Sequence, residues 1–89
     1  MAVKIDKSLD IWVNDKIAYF TMHVRDEIDK YGKDTLFVCD VVDKGEKKLV
    51  SSKENRYESR LAVGNTVWII VWFDMNDKIL IKHLGKDQR

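Results

Sequence analysis

The chain has no proline, and its 89 residues include only four glycines and one cysteine. With so little proline and glycine, no stretch has a linker's composition. No repeat or low-complexity tract interrupts the sequence, so one domain spanning residues 1–89 is expected. The single cysteine, Cys39, can form no internal disulfide and cannot supply a thiolate zinc site alone. So small a domain without a disulfide framework points to a reducing compartment. An excess of charge of either sign is also missing, since 16 basic and 15 acidic residues leave a net +1. Dedicated nucleic-acid binders draw affinity from a basic excess, and an acidic DNA mimic would need the opposite, so bulk charge favours neither. Long apolar runs are absent as well. The longest, Val67 to Phe73, is too short to cross a bilayer, and Met1 to Lys7 lacks the apolar segment of a signal peptide. Together these absences predict a cytoplasmic protein with no membrane contact.

What is present describes a globular chain: 45% hydrophobic residues, 35% charged, and three each of Trp, Phe and Tyr to supply large core bodies. Leu9 to Val13 alternates as a short strand. Asn14 then suits a helix N-cap and Asp15 the positive end of a helix dipole. Ile17, Phe20, Val24, Ile28 and Tyr31 recur at steps of three or four, and Gly32 stands where a left-handed cap residue belongs. This spacing predicts a helix over 15–31. Thr35 to Val42 is rich in β-branched and aromatic residues and reads as a strand. Asp43 to Glu46 has turn chemistry. Lys47 to Ser51 reads as a weak strand, and Arg56 to Val63 as a strand with Tyr57, Ser59, Leu61 and Val63 on one face. A short helix over 52–63 competes with that reading, because Ser51 and Glu54 resemble a capping box. Gly64-Asn65 matches a type II′ hairpin between Arg56–Val63 and Thr66–Phe73. Asp74 to Asp77 turns the chain into a last strand, Lys78 to Leu84, and residues 85–89 read as a frayed tail.

The expected fold class is α+β: a short N-terminal strand, one long amphipathic helix, then a four- to five-stranded antiparallel meander with the helix packed on one face. This element order resembles that of cystatin-like and related one-helix folds, without a shared motif. Strand 66–73 is apolar on both faces, with Val67, Ile69, Val71 and Phe73 opposite Trp68, Ile70 and Trp72. One helix can shield one face. The other must be covered by a curled sheet, by a helix at 52–63, or by another molecule. Trp68, Ile70 and Trp72 are therefore candidate residues of a protein interface, with ordinary core burial as the competing reading.

No catalytic, cofactor-binding or metal-binding signature emerges. His23 has Glu27, not a second histidine, four residues on, and both His23 and His83 read as surface histidines. Asp26 and Asp29 are helix-surface charges, Asp40 is out of place on an apolar strand, and Cys39 reads as an inert buried thiol. Six basic residues face three acidic ones between 44 and 60, and more bases follow near the C-terminus. Lys47, Lys48, Arg56, Arg60, Lys82 and Arg89 are the candidate nucleic-acid contacts. Arg60, Lys82, His83 and Arg89 resemble the basic and histidine residues near the C-terminus of small ribonuclease toxins of the RelE and BrnT type, which implies RNA cleavage. The near-neutral charge departs from that family, and the two-helix opening of RelE is not expected from this sequence.

The reading that follows is a small, non-enzymatic regulatory or inhibitory binding protein acting through protein–protein contacts, with a homodimer as one form and no cofactor. The alternative is a nucleic-acid-binding or ribonuclease-toxin-like module built on the basic 44–60 hairpin and the tail. A third reading is sequestration of a small ligand in a pocket at the junction of sheet and helix, or between protomers.

Overall fold

Two hydrogen-bonded neighbours, not helical spacing, decide the structure of residues 16–21. The computed structural model describes residues 5–13 and 16–88, with the side chains of Val13 and of residues 16–88. The elements are β1 (Ile5–Val13), β2 (Lys16–Thr21), α1 (Met22–Lys30), α2 (Thr35–Lys44), β3 (Glu46–Ser51), β4 (Arg56–Val63), β5 (Thr66–Asp74) and β6 (Lys78–Gln88). The strands form one six-stranded sheet in the order β1-β2-β6-β5-β4-β3. All neighbours are antiparallel except β2 and β6, which run parallel. The α+β class is as expected. The sheet, however, is mixed instead of a pure meander, and the described residues form two short helices instead of one long one.

The predicted helix 15–31 is corrected to a strand followed by a helix. β2 pairs with β1 on one side and β6 on the other, so its backbone groups are satisfied between strands and not within a helix. Within it Ala18 and Phe20 are buried, while Ile17 and Tyr19 lie on the opposite face. The helix starts one step later, where the Thr21 hydroxyl accepts the Val24 N–H at 3.1 Å. Phe20 and Val24 are four apart and enter the same core from different elements, so a helical stripe reads continuously across a strand–helix junction. The Asn14 cap and Asp15 lie outside the described residues. The far end of α1 is as expected. Gly32 has φ +65°, its N–H reaches Asp29 O, and Lys33 N–H reaches Ile28 O, closing the helix with a left-handed residue.

The predicted strand 35–42 is helix α2. Asp34 caps it by accepting the Phe37 N–H at 2.8 Å. Val38, Val41 and Val42 then fall on one buried face, while Leu36 and Asp40 point to solvent. Burial of that stripe overrides the β propensity of its valines. It also resolves the oddity of Asp40, which is exposed and lies 3.9 Å from Lys44 one turn on.

From β3 onward the reading agrees closely with the structure. Residues 56–63 are strand, although Glu54 N–H does reach Ser51 Oγ in the preceding turn, as the capping-box pattern suggests. Val63 pairs with Thr66 across Gly64-Asn65, and Gly64 has φ +62°, as a two-residue hairpin of this kind requires. β6 continues to Gln88, pairing with β5 as far as Thr66, so the tail expected at 85–89 is strand over its described part.

Both helices lie on one face of the sheet, α1 against β6 and β2, and α2 against β5, β4 and β1. The core between the layers holds Phe20, Val24, Ile28, Val38, Val41, Val42, Trp68, Ile70, Trp72, Ile81 and Leu84. Among the described residues no helix is long and apolar enough to cross a membrane.

Cys39 sits on α2 at the core boundary. Burial, and secondarily the charge of Asp40, push its thiol from an ordinary value of 9.0 up to about 12. Since ionisation is suppressed only in the fold, the unfolded chain gains stability relative to the folded one as pH rises from about 9 to about 12. A thiol-specific reagent at pH 8 should therefore label Cys39 slowly in the native protein and rapidly in denaturant. Equal rates in both would contradict this burial.

Candidate functional site

The alternation of β5 separates two environments. Trp68, Ile70 and Trp72 face the helices and are 6%, 0% and 6% exposed. Trp68 packs edge-on against Phe37 and Tyr31. Trp72 stacks on Tyr57 at 4.7 Å and donates its indole N–H to Ser59 Oγ at 2.9 Å; Ser59 lies 3.5 Å from Val42 O on α2. The candidate interface at Trp68, Ile70 and Trp72 is therefore corrected. The chain's own helices cover these side chains, because α2 supplies the second helix that the sequence reading lacked.

The uncovered apolar surface is the opposite face. Val67, Ile69, Val71 and Phe73 of β5 are all half-buried there, and among the described residues no helix lies over them. Register extends the stripe sideways: Phe73 pairs with Leu80 on β6, and Leu80 with Tyr19 on β2. Its margins are charged. On one side Val71 pairs with Glu58, and Glu58 with Lys48; Ile69 pairs with Arg60, and Arg60 with Glu46; Phe73 pairs with Arg56. Arg60 Nε meets Glu58 Oε1 at 2.7 Å. On the other side the Lys78 ammonium lies 5.8 Å from the Tyr19 ring centre, and that of Lys82 lies 5.5 Å from the Phe73 ring centre.

Four of the six candidate nucleic-acid contacts, Lys48, Arg56, Arg60 and Lys82, thus share this face. Lys47 is on the helix side, where its ammonium reaches Asp43 O. Arg89 lies outside the described residues.

A second grouping forms at the edge of the sheet. β6 pairs with β2 only as far as Ile81, and a bulge follows opposite Val71. Glu27 of α1 fills the vacated edge: its Oε1 accepts the Leu84 N–H at 3.0 Å, and its Oε2 lies 2.9 Å from His83 Nδ1. His23, one turn earlier on α1, brings Nε2 to 3.4 Å from Glu27 Oε1, and its ring stacks on His83 at 5.9 Å. Among the described residues these three are the one His/Cys/Asp/Glu group whose donor atoms converge, all lying within 4.8 Å of one another. Asp26 and Asp29 are exposed and take no part. Sequence reading had both histidines but treated Glu27 as the absence of a ligand. The only available signal was the i, i+4 spacing of His23 and Glu27, since His83 arrives from 56 residues away.

The third reading has a cleft at the sheet–helix junction, lined by Val13, Lys16, Val42, Trp72, Asp74 and Ile79. It encloses about 290 Å³ even with its open mouth included, which is small for an organic ligand. Lys16 and Asp74 pair at 2.8 Å beside it, and that hydrogen bond holds the Asp74 carboxyl below its ordinary range. No protein-family model matches the chain, and neither a curated protein nor a solved structure matches it.

Proposed function

We propose that this chain is a non-catalytic binding protein that works through the open face of its sheet, and that a second copy of itself is the occupant this face fits. The observation that carries the reading is the continuous apolar stripe of Tyr19, Leu80, Phe73, Val71 and Ile69, which no helix among the described residues covers. The stripe spans three strands, and at ~4.8 Å spacing with a nine-residue strand at ~3.3 Å per residue it projects roughly 430 Å²; the charged β4 margin brings the face to roughly 600 Å², against the ~800 Å² each partner contributes to a standard interface.

Charge placement neither drives nor forbids self-association. A two-fold axis through the stripe lays the β3–β4 margin of one copy over the β2–β6 margin of the other. Glu46 and Glu58 then approach Lys78 and Lys82, while Lys48, Arg56 and Arg60 on the same margin oppose this attraction, so the apolar stripe and not the charged rim must carry the contact. Sheets packed this way sit ~10 Å apart with side chains interleaved. A regulatory or inhibitory role would follow from occupying surface, with the dimer or a mimic of its face as the active form, in a cytoplasmic setting.

The second reading has its own support, since Lys48, Arg56, Arg60 and Lys82 flank Tyr19 and Phe73 in the manner of a single-strand stacking platform. One experiment separates the two. Light scattering of the intact protein should give a dimer mass, and Ile69→Glu should give a folded monomer with unchanged far-ultraviolet circular dichroism. A wild-type monomer that binds oligonucleotides with a steep salt dependence, lost in Arg60→Ala, would replace this proposal with the nucleic-acid reading. A wild-type monomer without such binding would end both.

A further inference from the structure

We infer that His23, Glu27 and His83 form a binding site for one divalent transition-metal ion of the zinc class, joining α1 to the bulge in β6. This site lies at the edge of the sheet, where His83 is the cross-strand partner of Val71, and its argument does not rest on the proposed dimer.

The chemistry of the donors selects the ion. Two imidazole nitrogens and one carboxylate suit zinc, nickel or copper, whereas magnesium and calcium prefer all-oxygen shells. The spacing is close to what such an ion needs. Donors ~2.0–2.1 Å from a metal stand about 3.4 Å apart in tetrahedral geometry and about 3.0 Å apart at a right angle. His23 Nε2 and Glu27 Oε1 are already 3.4 Å apart, and His83 Nδ1 and Glu27 Oε2 are 2.9 Å apart. These two spacings use the two oxygens of one carboxylate, and the three donors lie within 4.8 Å of one another, so closing onto one ion requires the exposed His23 side chain to turn inward.

The carboxylate is the fixed member. Its side chain is 15% exposed, and the Leu84 N–H, donated from a β6 edge that β2 has left, holds Glu27 Oε1 in place. Such a second hydrogen bond to a ligating carboxylate orients it before the ion arrives. The two histidines are 70% and 49% exposed in their side chains, so the ion has an entry path and water or an outside donor can complete its shell. α1 and β6 are far apart in sequence, and an ion bound to both stabilises the folded chain by mass action.

The test uses untagged protein titrated with zinc chloride by calorimetry, with magnesium chloride as the control ion. One zinc per chain is expected, with no magnesium response. His23→Ala and His83→Ala, both at exposed positions, should each weaken zinc binding about tenfold or more. Glu27→Gln should do the same while its amide oxygen still accepts the Leu84 N–H and keeps the fold. Zinc should raise the melting temperature of the wild type and not that of His83→Ala. Absence of a zinc response in the wild type, or full-strength binding in both histidine variants, would overturn the assignment.

Discussion

Trp72→Ala should lose about 3–5 kcal/mol of stability, a large share of the roughly 4–13 kcal/mol that a domain of this length holds. The side chain is 6% exposed and stacks on Tyr57, so its removal opens a cavity between α2 and the sheet. It also strips Ser59, which is fully buried, of the indole N–H that it accepts. Urea unfolding followed by circular dichroism should show a large fall in the midpoint. Trp72→Phe retains most of the ring volume and loses the hydrogen bond, so a loss nearer ~1 kcal/mol is expected. Ile69→Glu, three residues away on the same strand but on the other face, should cost only about 1 kcal/mol in a dilute monomer. This contrast reads out directly which face of β5 is core. A Trp72→Ala protein as stable as the wild type would return Trp68 and Trp72 to the surface and reverse the assignment of faces.

The same contrast explains what could and could not be read from residues alone. The double-sided apolar character of Val67 to Phe73 was legible, and so was the conclusion that one face needs cover from elsewhere. Which face was not legible, because that depends on α2, and α2 is built from Val38, Val41 and Val42, residues whose local preference is for strand. Asp34 before the segment and Gly45 after it were the punctuation of a helix, outweighed by the β-branched composition between them. The error at β2 runs the other way. Lys16 to Thr21 is strand because β1 and β6 flank it, and β6 lies some 60 residues further along the chain, beyond any periodicity argument. The hairpins from β3 to β6 were legible because their information is local: a glycine at positive φ, an Asx turn at Asp74–Asn76, and alternation between them. The His23–Glu27–His83 grouping was illegible for the reason β2 was. It depends on where β6 bulges and on which element fills the edge left open there.

Gly45→Ala is expected to be the second most damaging change, at roughly 3 kcal/mol, the upper end of what overpacking usually costs. The backbone at Gly45 is extended, with φ −72° and ψ 163°, so any residue could adopt it and conformational freedom is not the issue. Space is. A Cβ there would stand 2.5 Å from Val41 O and 2.7 Å from Arg60 O, both backbone atoms that cannot swing aside. Gly45 N–H also closes α2 onto Val41 O at 2.8 Å, so the helix end and β4 approach each other through this one residue. Moving them apart would pull Val42 O away from Ser59, and with it the partner of Trp72. The substitution should therefore lower the urea midpoint and speed hydrogen exchange specifically in α2 and β4. Gly85→Ala is the control, because its added methyl group would meet only the His83 ring, at 3.4 Å. Equal stability of the two variants would mean that α2 does not dock on β4 this closely, and that the helix layer over Trp68 and Trp72 is looser than their burial requires.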